Sequence, residues 1–448
     1  MQQLALTANI FPLLARLGIV VIGGVVGYQV AQGARFELVL FVLIAASGFL
    51  LVHPERGLYL FCFILILTNY EWYVEGGQIL SPNNLVIGIA LLSWVATVLR
   101  YGRFSLSTLY WPGGLALLVA WLNFARYGPI YFGLPFILSE AFLLFLLSYH
   151  LIRRRWHLSY LLLAFALAFI FRNAIDVGQA ISSWSAYPSY GAIRADALWL
   201  GGTSTTGSEW RSLFLPLFLT MVLVVQNRKV RNIFRLALFL DIAWLALAGT
   251  RVGILGVFLA LVSVLLLLPA PQRKRLFVLA FPLGLLVIFL VSSFGDVWTQ
   301  MLERHQLDLD RGWEAGRVGA WRLALSAFLE NPLWGHSAGP SHSFFLGAGR
   351  AMGLVFLIPF CIALGKIWQH GAWLKRQPLD QMSLAFVLSM QACLLVAIPI
   401  NFISTTFNTA FGSMFFWLLA GAHEALYLDV RSGRYAIAEK PAESPESV

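Results

Sequence analysis

The chain has 448 residues, of which 59% are hydrophobic and only 12% charged, with a formal net charge of +10. Soluble domains carry roughly a quarter charged residues, so a water-soluble globular protein is excluded. The three cysteines, Cys62, Cys361 and Cys393, all fall inside apolar runs, which implies small core residues and no disulfide framework.

Apolar stretches suited to a hydrocarbon layer about 30 Å thick recur from end to end. In chain order the expected spans lie at about 11–31, 36–53, 58–71, 84–100, 112–125, 131–151, 158–176, 212–227, 232–249, 251–269, 276–294, 343–365, 383–401 and 407–428. The fifth is short and the turn after Gly249 is tight, so the expected fold is an all-α polytopic integral membrane protein with about 12–14 helices. The first run has no small-residue cleavage site after it and is expected to be retained. One membrane domain is expected over 1–430, followed by a disordered tail over 431–448 that is rich in Pro, Glu and Ser.

Basic clusters set the orientation, because Lys and Arg near span ends stay in the cytoplasm. Arg100 with Arg103, Arg153-Arg154-Arg155, the Arg228–Arg235 cluster, Arg273-Lys274-Arg275 and Lys375-Arg376 fall in alternate loops. Both termini are therefore expected inside. The opposite face carries two long connections, 177–211 and 295–341. Within the second, Glu314 to Leu329 has helical spacing, with Val318, Trp321, Leu325 and Phe328 on one stripe and Asn331-Pro332 as the stop. Three tryptophans in that loop (Trp313, Trp321, Trp334) argue against disorder.

The two basic residue types divide by side. All five lysines (Lys229, Lys274, Lys366, Lys375, Lys440) fall on the expected cytoplasmic side. The outer face holds arginines alone, among them Arg35, Arg126, Arg172, Arg194, Arg211, Arg251, Arg304, Arg311, Arg317, Arg322 and Arg350. A guanidinium stays charged, sheds water more easily than an ammonium and binds phosphate through a planar fork. An outward cluster suggests a phosphate or pyrophosphate ligand, although pairing with acids or lipid headgroups explains Arg35, Arg126 and Arg304 as well. Arg211 and Arg251 sit at outer span ends. Arg350 lies roughly two turns into a span, where a charge needs a polar cavity or a partner.

Of the eight histidines, His342 differs in setting: Gly335, Gly339 and Pro340 shape a turn, and His342 then opens a span at the outer surface. A neutral imidazole there can accept a proton from a hydroxyl; it can equally cap a helix end. Asp308-Leu309-Asp310 has the spacing of an acidic metal pair, but Arg304 and Arg311 flank it and the arginines are the preferred cationic partner.

Two stretches resemble the O-antigen ligase and polymerase superfamily. One is Gly249-Thr250-Arg251 with Gly253. The other runs from Arg317 and Trp321 through Asn331-Pro332-Leu333 and Gly335-His336-Ser337 to His342 and Gly353. Arg194 with Gly201-Gly202 is a weaker match. His342-Ser343 stands where the family often has His-Asn, and Gly249-Thr250 replaces a commoner serine-rich pair. The resemblance implies a GT-C-like glycosyltransferase in the bacterial inner membrane, with its site facing the periplasm. The implied donor is a glycan on undecaprenyl pyrophosphate. The acceptor is lipid A–core for a ligase, or a second lipid-linked glycan for a polymerase. His342 would be the catalytic base, and Arg194, Arg211, Arg251, Arg317, Arg322, Arg350 and Trp321 would bind pyrophosphate and substrate. Inversion is expected, and no cofactor, metal or nucleic-acid partner. A protein O-oligosaccharyltransferase and a transporter are the other readings. Transport would rest on Glu140 and Asp241, which lie in different spans without an evident basic partner.

Overall fold

In a computed structural model, residues 54–67, 72–74, 77–80, 107–127, 133–152, 154–184, 204–248, 250–278, 317–336 and 341–435 are described, with scattered positions between 87 and 98 and at 284. The expected spans at 11–31 and 36–53, and nearly all of that at 276–294, lie outside the described residues.

The described helices are α1 (Pro54–Leu67), α2 (Tyr110–Tyr127), α3 (Gly133–Leu151), α4 (Arg155–Trp184), α5 (Ser204–Val224), α6 (Arg228–Ala248), α7 (Arg251–Leu267), α8 (Arg317–Glu330), α9 (Phe344–Leu374), α10 (Gln381–Ile403) and α11 (Ala410–Arg431). Thr406–Asn408 adds one 3-10 turn. Among the described residues, four helices are long and apolar enough to cross a membrane: Arg155–Gly178, Gly207–Val224, Phe344–Leu374 and Gln381–Ile403. At 1.5 Å per residue, a helix of about 20 residues matches the hydrocarbon thickness. The all-α polytopic class expected from composition holds. One element was not expected: Trp72–Val74 pairs antiparallel with Gly77–Leu80 as a small hairpin.

Each helix exists because it buries an apolar surface against neighbours while its own backbone bonds close internally, as a membrane requires. α10 packs on α5 and α7, α11 lies along α3, α4 contacts α1 and α6, and α8 rests on α9. Aromatic edges lock the centre. Phe165 meets Phe169 at 4.7 Å and Phe415 at 4.9 Å between ring centroids, joining α4 to α11.

Polar caps close several ends. Thr250 Oγ1 accepts from the Gly253 amide at 3.1 Å, and Asp380 accepts from Met382 and Ser383 amides at 2.9 and 3.0 Å. The carboxylate of Asp380 also receives the Tyr435 hydroxyl at 2.5 Å. Residues 431–435, expected in a disordered tail, therefore finish α11 and clasp the start of α10. At the same end of the bundle, Glu424 of α11 lies 2.6 Å from the ring of His370 on α9 and accepts from Ser107 at 3.0 Å.

Several helices outrun their expected bounds. α4 continues to Trp184 and α5 begins at Ser204, so both flanks of the 177–211 connection are helical. α9 continues to Leu374, beyond the expected end at 365. Apolar content marks where a helix meets lipid, whereas backbone bonding continues for as long as nothing interrupts it.

Candidate functional site

The ends of α4, α6 and α10 meet the starts of α5, α7, α9 and α11 on one side of the bundle. Trp210 of α5 stacks on Phe411 of α11 at 5.6 Å, and Phe344 of α9 donates its amide to the Ser404 carbonyl at 2.9 Å. Of the candidate residues, His342 precedes α9, Arg211 lies in the first turns of α5 and Arg251 opens α7.

His342 stands immediately before the N-cap of α9. Its φ is +49°, and it is the one non-glycine residue at positive φ among those described. It is exposed, while Ser341 and Ser343 on either side are buried. The turn that forces this is made by serines. Ser341 Oγ donates to the Ser343 carbonyl at 2.6 Å and accepts from the Ser343 amide at 3.3 Å. Ser343 Oγ caps Leu346 and donates to the Asn401 carbonyl, each at 3.3 Å. The backbone pivots at His342 and directs its imidazole outward.

Behind the histidine, α9 is broken. Gly353 has φ +64° and ψ −165°, so helical geometry stops there and resumes at once. A break in a membrane helix strands backbone groups that must find other partners. The strap 331–336, which follows α8, supplies them. Leu354 donates to the Pro332 carbonyl at 2.8 Å, Val355 to the Leu333 carbonyl at 3.2 Å, and the Arg350 carbonyl accepts from His336 at 2.8 Å. The approach is so close that only glycine fits at two places. A Cβ on Gly353 would overlap the Leu333 carbonyl, and one on Gly335 (φ +73°) would overlap the Ala351 carbonyl. The first part of α9, carrying His342 at its head, is thus fastened to the strap and through it to α8.

The arginines divide. Arg211 is fully buried. Its Nε donates to Asn173 Oδ1 at 2.7 Å and its Nη1 to the Gly207 carbonyl at 3.3 Å, while Nη2 pairs with Asp176. Nε lies 3.8 Å from Asp241, and Trp210 and Trp244 cover the guanidinium at 4.3 and 3.8 Å. Asn173 also donates to Asp241 at 3.0 Å, and Arg172 adds a 2.9 Å bond to Asp176. Two arginines and two aspartates thus form a buried network across α4, α5 and α6. Arg211 meets protein acceptors here, and a pyrophosphate role requires it to exchange them. Asp241 has the basic partner that its isolation in the sequence concealed. The signal was present: an arginine and two aspartates at one level of three apolar spans cannot remain unpaired in lipid.

Arg251 opens α7 directly after its N-cap Thr250, and Arg317 opens α8. Arg322 is exposed on α8, and Arg350 is half-buried on α9. Trp321 is half-buried, with its Nε1 without a hydrogen-bond partner among the described residues. Arg194, Asp308 and Asp310 lie outside the described residues. Asn173, Asp176, Trp244 and the serine turn carry no motif of their own in the sequence; Ser341 and Ser343 stand out only by their place beside His342.

Beneath α8, an apolar cleft of about 670 Å³ opens between α9 and α10, lined by Phe328, Phe345, Leu357, Leu394 and Phe402 among others. No polar group is needed to hold a hydrocarbon chain there.

These features define a helical membrane protein with a strained, exposed histidine set above a broken helix. Residues 236–352 match the family model described as O-Antigen ligase, which supports the resemblance to the O-antigen ligase and polymerase superfamily. The match covers about a quarter of the chain and takes in Asp241, Arg251, Arg317, Trp321, the strap, His342 and Arg350. No curated protein matches the chain.

Proposed function

We propose that the protein is an O-antigen ligase, transferring a glycan from undecaprenyl pyrophosphate to a sugar hydroxyl of lipid A–core at the periplasmic face of the bacterial inner membrane. The observation that carries this reading is His342, held in a left-handed conformation and exposed at the head of a braced half-helix. Strained backbone that the surroundings over-determine is a mark of functional sites.

In the reaction the acceptor oxygen forms a bond to the anomeric carbon while the bond to pyrophosphate breaks, its electron pair leaving with the phosphate oxygen. The acceptor proton passes to an imidazole nitrogen of His342. Displacement in one step inverts the anomeric centre. Pyrophosphate is a good leaving group, so the protein's main tasks are positioning and charge neutralisation. Arg251, Arg317, Arg322 and Arg350 are assigned to neutralisation together with Arg194. Arg211 is assigned to the buried network that fixes the ends of α4, α5 and α6 behind them. The cleft beneath α8 supports a lipid-borne substrate. No metal is assigned a step.

The test is glycan transfer by purified protein from undecaprenyl-pyrophosphate glycan, with lipid A–core and free lipid-linked glycan as separate acceptors. Transfer to lipid A–core that His342→Ala abolishes supports the ligase. Growth on the second acceptor alone replaces it with a polymerase. Transfer to neither, by folded protein, sinks both.

A further inference from the structure

At the bundle's opposite end lies a cavity that glycan transfer does not use. It has a volume of about 300 Å³ and sits where α3 ends, α4 begins and α11 finishes. Ile152, Leu158 and Leu426 give it an apolar floor, and Arg154, Arg155 and Arg434 line it with a single acid, Asp429. Arg434 pairs with that acid at 3.2 Å. Arg155 lies over the Tyr435 ring at 4.8 Å and reaches the Asp380 carboxylate only at 3.9 Å. Tyr435, Ser383 and two amides already occupy the oxygens of Asp380. Arg154 is exposed and has no carboxylate at ion-pair distance among the described residues; its guanidinium lies 5.8 Å from the Trp156 ring.

The excess charge stands at the unfavourable end of a helix. α4 begins at Arg155 and has no acidic residue in its first turn. The positive pole of a helix disfavours cations and favours an anion. Trp156, 47% exposed beside the cavity, is the kind of side chain that settles at the membrane–water interface. Guanidinium groups above an apolar floor, at the level of an interfacial tryptophan, match a ligand with a phosphate and a hydrocarbon stem. We propose that this cavity binds the headgroup of an anionic glycerophospholipid from the adjoining leaflet, with Arg154 and Arg155 on its phosphate and the floor receiving the start of an acyl chain. A planar guanidinium fork suits a phosphate diester. A zwitterionic headgroup brings its own cation to the same arginines and binds less well. The proposal is independent of the glycan-transfer reading.

The test uses the purified full chain in neutral detergent. Its melting temperature is followed against added phosphatidylglycerol, phosphatidylcholine, or inorganic phosphate at matched ionic strength. Phosphatidylglycerol is expected to raise the melting temperature in a concentration-dependent way; the other two are expected to leave it unchanged. Arg154→Gln should require ~5-fold more phosphatidylglycerol, from about 1 kcal/mol per basic residue near a lipid surface. Arg154→Glu should abolish the shift. Arg154 is exposed, so neither variant should change the melting temperature without lipid. Equal shifts with phosphatidylcholine, or an undiminished shift in Arg154→Glu, overturn the proposal. An equal response to inorganic phosphate makes this a free-ion site. No shift in the full chain, with one gained on deleting 436–448, makes the chain's own acidic end the occupant and equally overturns it.

Discussion

At the scale of single residues, His342 combines a backbone cost with an exposed side chain. A non-glycine residue held at such a φ costs about 1–3 kcal/mol, and among the described residues no buried contact of the imidazole offsets it. His342→Gly should therefore leave the melting temperature unchanged or higher while transfer is lost. A loss of stability in that variant would mean that the imidazole is structural. His342→Ala should lower turnover by roughly 10²–10⁴, the usual share of a positioned proton acceptor. Arg211 has the opposite profile, since it is buried and fully engaged. Arg211→Gln leaves Asp241 without its cation while Asp176 keeps Arg172, and breaking a buried pair costs about 3–5 kcal/mol. A large fall in melting temperature is expected, seen by scanning calorimetry. Near-normal stability with lost transfer would return Arg211 to the substrate site. The sequence marked both residues but could not separate their roles. Position at a span end is the same for both, and only the partners of Arg211 on two other helices, α4 and α6, distinguish them.

At the scale of elements, the strap and the break in α9 act as one piece. Gly353→Ala forces a Cβ into the Leu333 carbonyl at a backbone angle that favours glycine. The strap should detach, exposing the Leu354 and Val355 amides. Hydrogen exchange at those two amides should accelerate, while amides in α10 remain protected; unchanged exchange would show that the strap does not carry their bonds. The motif residues Asn331, Pro332, Gly335 and Gly353 were all legible in the sequence, but the reason for them was not. Their pairing joins positions about twenty apart through backbone atoms, which leave no trace in side-chain pattern. The clasp between α10 and α11 is open to titration. Burial raises the Asp380 carboxyl, but hydrogen bonds from Tyr435 and Ser383, with Arg155 nearby, outweigh it and set the group below its ordinary value. Burial and the bond to Asp380 push Tyr435 up to about 12. A depressed acid contributes stability above its unfolded value that is lost as pH falls through the folded one. A raised phenol contributes below about 10 and loses its contribution as pH climbs toward about 12. The clasp should thus persist across neutral pH and loosen at both extremes, readable as protease sensitivity near Arg434. Tyr435→Phe should remove the alkaline limb.

At the scale of the whole molecule, composition and periodicity were enough for the class of fold and for the positions of most of the described helices. Helix ends were not legible, because span length follows lipid thickness while helices run on into the interface. The short hairpin after α1 also escaped, since three- and four-residue strands carry too little alternation to register. Orientation rests on the basic loops and is testable directly. A cysteine at Ser341 should react with a periplasm-specific thiol label and one at Gln272 should not; the reverse pattern would invert the molecule. The broken helix also bears on biogenesis. Two amides of α9 are satisfied by carbonyls made about twenty residues earlier, so α9 reaches its final form only if the preceding strap is already at hand. Vectorial synthesis meets that need without a chaperone, as the strap is always translated first. A circular permutant opened between the strap and α9, with the strap emerging last, should insert its helices yet mature slowly.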